Sequence, residues 1–122
     1  MSRIDAVLAF IAAWEARDVE AILARMTPDA RYENVGMPVM VGHDAIRAFA
    51  APFLAGAKAV RWKVHHIAET PSGAVLTERT DVFELPDRTL SIPVMGVFEF
   101  EGGLIANWRD YFDLPGFLRQ MA

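Results

Sequence analysis

The sequence contains no cysteine in its 122 residues. That excludes disulfides, thiolate nucleophiles and thiolate metal sites. It suits a reducing compartment, and a cytoplasmic location is the expectation. No run approaches the roughly 20 apolar residues of a membrane-spanning helix, so no membrane partner is expected. The apolar stretch Ala6 to Trp14 follows a helical period, with Asp5 before it and Glu15 and Arg17 after it. It reads as a helix and not as a signal sequence. Basic residues form no block. Twelve Lys and Arg stand against sixteen Asp and Glu, for a net charge of −4, which argues against a nucleic-acid partner. The three histidines (His43, His65 and His66) show no HxH or HExxH spacing, so no metal site is expected. His65 and His66 are neighbours in a strand-like run and are expected on opposite faces. One of them in a cavity would be a rival base, while a structural role is the plainer reading. Ser72 and Ser91 lie in or beside turns without a nucleophile-elbow context.

What the chain has in quantity is apolar surface. Hydrophobic residues make up 53%, enough to fill a core and line an apolar cavity. The length suits one domain, residues 1–122. Ile4, Val7, Leu8, Ile11 and Trp14 recur at helical spacing and predict an amphipathic helix. Asp18 is placed to cap a second helix carrying Ile22, Leu23 and Met26, which Thr27-Pro28-Asp29 ends. Ala30 to Val35 reads as a short strand. Gly36 to Gly42 reads as a loop, either packed on the core or forming the lip of a pocket through Met37 and its neighbours. Asp44 helps start a third helix with Ile46, Phe49, Ala50, Phe53 and Leu54 on one stripe, and Gly56 stops it. Four strand-like runs follow: Val60 to Ala68, Ala74 to Leu85, Thr89 to Phe100 and Leu104 to Asp113. Gly73, Asp87 and Gly102-Gly103 punctuate them as hairpins. Asp113 and Pro115 then open a last short helix. Helices first and antiparallel strands after is an α+β pattern. Met37, Met40 and Met95 are expected in the core or the pocket lining. Arg61 and Lys63 are expected on a solvated or subunit-facing side.

The chemistry concentrates in two of the strands. Strand side chains alternate faces, so Arg79, Asp81 and Phe83 point one way, as do Trp108, Asp110 and Phe112. A carboxylate between aromatics on an inward face is costly unless it is paired or protonated. Two carboxylates in one apolar pocket push their titrations apart, so that one keeps a proton. Asp81 and Asp110 with Arg79 between them can form an acid–base set that titrates as a unit. They can equally form a buried salt-bridge triad that only fixes register. Tyr32 and Asn34 share a face of the first strand. Their hydroxyl and amide could hold a water beside Asp110, or could simply be solvated.

Glu78-Arg79-Thr80-Asp81, then Met95-Gly96-Val97-Phe98-Glu99, then Trp108-Arg109-Asp110-Tyr111-Phe112-Asp113 resemble the limonene-1,2-epoxide hydrolase family. Tyr32-Glu33-Asn34 resembles that family's water-holding Tyr-x-Asn, and Gly42-His43-Asp44-Ala45-Ile46 resembles its helix start. The resemblance runs from Asp18 onward. It implies the cone-shaped α+β fold shared with nuclear transport factor 2, ketosteroid isomerase and SnoaL-type cyclases, with helices closing a curved sheet around a deep apolar pocket. It also implies roles. Asp110 would be the general base on a water held by Tyr32 and Asn34. Asp81 would be the general acid toward the epoxide oxygen, and Arg79 the bridge between the two. Phe83, Ile92, Val94, Phe112 and Phe117 would line the pocket. Water would attack a small apolar epoxide directly, without covalent intermediate, metal or organic cofactor. Relatives of this kind form dimers across the outer sheet face, so a homodimer is expected. Two other readings remain: a cyclase or isomerase moving a proton beside a carbonyl, and a non-catalytic binding module on the same fold.

Overall fold

The computed structural model describes residues 1–122 and has the expected α+β order. Helix α1 (Arg3–Glu15) and helix α2 (Val19–Ala24) lead into strand β1 (Met26–Asn34), a two-residue β2 (Met40–Val41) and helix α3 (His43–Ala55). Strands β3 (Ala59–Glu69), β4 (Val75–Glu84), β5 (Thr89–Glu101) and β6 (Leu104–Tyr111) follow, and helix α4 (Leu114–Met121) ends the chain. The six strands form one sheet in the order β2-β1-β6-β5-β4-β3. It is antiparallel except where β1 lies parallel to β6. Register shifts in β1, β3 and β5–β6 bend the strands and strengthen the twist. Helices α1 and α3 cover the concave face of the curved sheet. No helix is long and apolar enough to cross a membrane.

Local chemistry explains the boundaries. Ser2 and Asp5 form a reciprocal capping box at the start of α1, and the Asp18 side chain accepts from the Ala21 N–H at the start of α2. Each satisfies backbone donors that a helix start leaves open. Asp113 does the same for α4 through Gly116. Gly42 enters α3 at φ 87°, a left-handed conformation that glycine adopts without strain.

Element boundaries and faces depart from the sequence reading in the first half of the chain. The buried face of α1 is Ala6, Val7, Phe10, Ile11, Ala13 and Trp14, while Leu8 is 42% exposed. The stripe centres on Val7, Phe10 and Trp14, and Leu8 lies one 100° step beyond it. Strand β1 starts at Met26, so Thr27-Pro28-Asp29 belongs to the strand. Pro28 has no N–H for a ladder and falls in the irregular gap between Met26 and Arg31, where a strand tolerates proline. The Gly36–Gly42 connection is not all loop, because Met40 and Val41 pair with Tyr32 and Arg31.

Replacing Phe10 by alanine is expected to destabilise the protein by about 3–5 kcal/mol. Leu8→Ala should stay within roughly 0.5 kcal/mol of the parent. Urea unfolding of the two variants measures both. Equal losses would put Leu8 in the core and contradict the assigned face.

Candidate active site

Strand register builds the site. Thr77 on β4 faces Gly96 on β5, Gly96 faces Asp110 on β6, and Asp110 faces Asn34 on β1. These four residues form one transverse row on the inner face. The next row holds Val75, Phe98, Trp108 and Tyr32. Arg79 and Asp81 follow Thr77 along β4 at steps of two, so they share its face.

Arg79 is 1% exposed, and all five of its N–H donors are engaged. Nε donates to Asp81 Oδ1 at 3.0 Å and Nη2 to Asp81 Oδ2 at 2.9 Å. Nη2 also donates to Asp110 Oδ2 at 2.8 Å, and Nη1 to Asp110 Oδ1 at 3.2 Å. The last donor, on Nη1, goes to Thr77 Oγ1 at 3.1 Å. One planar guanidinium thus clamps two carboxylates, each through two oxygens, a geometry that lysine cannot supply. The same guanidinium stacks over the Trp62 ring at 4.7 Å. Trp108 Nε1 adds a donor to Asp110 Oδ1 at 2.8 Å. Of about four lone-pair sites on the Asp110 carboxylate, three are occupied, and the free one is on Oδ2.

Gly96 makes this cluster possible. A Cβ there would lie 2.5 Å from Arg79 Nη1, 2.7 Å from Asp110 Oδ1 and 3.0 Å from Thr77 Oγ1. Any side chain at that point of the row would push the guanidinium off Asp110.

Tyr32 stacks on Trp108 at 3.8 Å between centroids, and its hydroxyl donates to Asn34 Oδ1 at 3.2 Å. That bond leaves the phenol lone pairs and the Asn34 NH₂ able to hold a water. The electrostatics follow from burial. Burial raises the Asp81 carboxyl to about 6, against the hydrogen bonds and charge of Arg79, and the Asp110 charge pushes the same way as burial. Burial, then the Asp110 charge, hold the Tyr32 hydroxyl well above the ordinary phenol range, so it stays a donor. Burial opposes the Arg79 charge, but the two carboxylates outweigh it and raise that group.

Tyr32, Asn34, Asp81 and Asp110 line a cavity of about 150 Å³, while Arg79 is not part of its wall. The five residues expected to line it, Phe83, Ile92, Val94, Phe112 and Phe117, all do so. Met37, Val39 and Val41 are all exposed, and of the three only Met37 lines the cavity. Sequence reasoning missed Trp14, Trp62, Phe49, Phe53 and Met121 as cavity walls. The two phenylalanines appeared as a core stripe, and periodicity cannot tell a core from a cavity wall. It also missed Thr77, Gly96 and the Trp108 N–H. The same-face Trp108–Asp110 spacing was the one available signal. Helix α4 forms one wall through Phe117 and Met121. It is pinned by the Gln120 side-chain amide, which pairs with both backbone groups of Ser91 at 3.0 and 3.1 Å.

Other expectations need correction. Met95 is 50% exposed, because the inward residues of β5 are the even-numbered Ile92, Val94, Gly96 and Phe98. A register shift between Val64 and His66 leaves both His65 and His66 exposed, in place of opposite faces. His65 bonds Thr80 Oγ1, and His43 contacts the Met26 carbonyl. None of the three histidines lines the cavity. Arg61 pairs with Glu84 on the solvated side.

With this geometry in hand, comparison with known proteins is decisive. The profile of the limonene-1,2-epoxide hydrolase catalytic domain matches residues 1–122. The chain belongs to the limonene-1,2-epoxide hydrolase family. Over 109 residues it is 36% identical to the epoxide hydrolase EphG of Mycobacterium tuberculosis, covering 89% of this chain and 72% of that one. A solved M. tuberculosis hydrolase described as like this family superposes with a TM-score of 0.82 at 35% identity, over 98% of this chain and 91% of that one. A SnoaL-like polyketide cyclase fold from Shewanella denitrificans aligns with a TM-score of 0.87 at 15% identity, over 98% and 96%. That match speaks to fold alone. Tyr32, Asn34, Arg79, Asp81 and Asp110, which the resemblance singled out, are brought together by the β1–β6 register and the Arg79 hydrogen bonds.

Two outcomes follow from the site's packing. Gly96→Ala should lower stability by about 1–3 kcal/mol through overpacking against Arg79 and Asp110, measured by urea unfolding. Parental stability would mean that the row has slack which the geometry denies. The Asp81 effect has a definite sign. Its folded pKa lies above the ordinary carboxyl value of 3.8, so the folded state binds the extra proton. The resulting stability is present below about pH 4 and lost as pH rises through about 6, on the order of 2–3 kcal/mol in all. Relative to the parent, Asp81→Asn should therefore gain stability between pH 4 and pH 8. A flat difference across that range, or a falling one, would contradict the assigned direction.

Proposed function

We propose that the protein is an epoxide hydrolase that adds water to a small apolar epoxide in one step, giving a vicinal diol. The observation that carries this reading is the Arg79 clamp, which holds together two carboxylates of unlike surroundings in the wall of an apolar cavity. Asp110 has its free lone-pair site on Oδ2 and lies beside Asn34 in the row, so it takes a proton from a water held by Tyr32 and Asn34. Asp81, raised to about 6 by burial, is protonated in part near neutrality and gives its proton to the oxirane oxygen as the C–O bond breaks. The two transfers leave Asp110 protonated and Asp81 charged. Arg79 touches both carboxylates, so the proton can return to Asp81 with little change in the charge that the guanidinium faces. Arg79 itself is a positioning residue, since it has no donor left for substrate. The 36% identical hydrolase EphG supports the same reaction class.

General acid–base groups of this kind contribute roughly 10²–10⁴-fold each. Turnover of a panel of alkyl and cycloalkene oxides should fall by that factor in Asp110→Asn and again in Asp81→Asn, with folding checked by circular dichroism. Activity within threefold of the parent in either variant would remove that residue from the mechanism. Isomerised or cyclised ketones without any diol would move the reading to a carbonyl-adjacent proton transfer.

A further inference from the structure

Asn34, Asp81 and Asp110, polar residues that line the cavity, each have an aromatic residue two positions away in the chain. Tyr32 stands beside Asn34, Phe83 beside Asp81, and Trp108 and Phe112 on either side of Asp110. Beyond this collar the cavity carries no charge. Its rings meet edge to face: Phe53 and Phe83 at 4.9 Å and 78°, Phe112 and Phe117 at 5.9 Å and 81°. Trp14 stacks on Trp62 at 5.0 Å, and the N–H groups of both indoles find no acceptor. A flat guest entering this space meets ring faces and ring edges, the two arrangements that aromatic pairs prefer. The volume of about 150 Å³ is the size at which an apolar cavity takes one benzene-sized ring.

We propose that the substrate is a small aryl epoxide, with the aromatic ring bonded directly to an oxirane carbon. This rests on the hydrolase reading above and narrows it. As Asp81 protonates the oxirane oxygen, the C–O bond to the ring-bearing carbon breaks and positive charge gathers on that carbon. Water adds there and passes its proton to Asp110, so epoxide plus water gives diol with no other reactant. The charge spreads into the substrate ring, and the rings of Phe83 and Phe112, each two positions from a reacting aspartate, stabilise it as aromatic rings do a cation. A saturated ring of the same carbon count fills the space without that stabilisation. A long-chain epoxide extends beyond the cavity.

The test compares phenyloxirane with cyclohexyloxirane in the parent, Phe83→Leu and Phe112→Leu. The intrinsic reactivity of the two epoxides cancels when their kcat/KM ratio is compared between proteins. The aryl-to-cyclohexyl ratio should fall about tenfold in each variant, because leucine keeps bulk and loses the ring face. As a second measurement on the parent alone, 1-phenylethane-1,2-diol should inhibit about tenfold more tightly than its cyclohexyl counterpart. An unchanged ratio, faster parental turnover of the cyclohexyl compound, or equal inhibition by the two diols would overturn the aryl assignment while leaving the hydrolase reading intact. Diol from neither epoxide, nor from the alkyl panel, would overturn that reading and this inference with it.

Discussion

The structure depends on one buried guanidinium. Arg79 is nearly inaccessible, and a lone charge in such a place would cost several kcal/mol. Its ion pairs with Asp81 and Asp110 satisfy it, and Thr77 takes the remaining donor. The requirement also runs the other way. An unpaired carboxylate in that apolar space would be just as costly, so the arginine permits the aspartates as much as they permit it. Burial is the main cause of the raised Asp81 carboxyl, and the Asp110 charge adds to it against the pull of Arg79. A structural triad and an acid–base set start from the same geometry. What favours the acid–base reading is that the cluster opens on a cavity, with Tyr32 and Asn34 at its side.

The scaffold around the cluster follows from its demands. Four strands must lie side by side with fixed register for Thr77, Gly96, Asp110 and Asn34 to share a row. The parallel pairing of β1 with β6 closes that row, because it sets Tyr32 against Trp108 and Asn34 against Asp110. Gly96 then serves as a gap rather than a flexible joint. Its side of the sheet is open to the Arg79 guanidinium only because no Cβ stands there. Aromatic side chains from α1, α3 and β3 complete the cavity, and the Gln120 amide holds α4 across one side.

Much of this was legible in the chain. Strand alternation alone put Arg79 with Asp81 and Asp110 with Trp108, and turn residues placed the ends of the four long strands to within two residues. The identity of the site rested on resemblance, since two aspartates and an arginine on inward strand faces read equally well as a salt-bridge triad. What stayed hidden was non-local. The partner of β1 and the short β2 depend on pairings between distant segments. Gly96 looked like an ordinary strand glycine, because its importance lies in three side chains from other strands. Phe49 and Phe53 followed the helical period of a core stripe, and no local pattern says that the space before them is empty. Leu8 and Met95 were misplaced for simpler reasons: one lies a single helical step outside the buried stripe, and the other has the wrong parity on its strand.

The central claim is that water attacks the epoxide directly while the clamped aspartates only move protons. Single-turnover hydrolysis in ¹⁸O-labelled water, with enzyme in excess over an epoxide that the protein accepts, tests it most directly. The account predicts that the diol of the first turnover already carries solvent oxygen. Unlabelled diol in that turnover, with label appearing in the protein's carboxylates over later cycles, would mean that an aspartate attacks as a nucleophile and would contradict it.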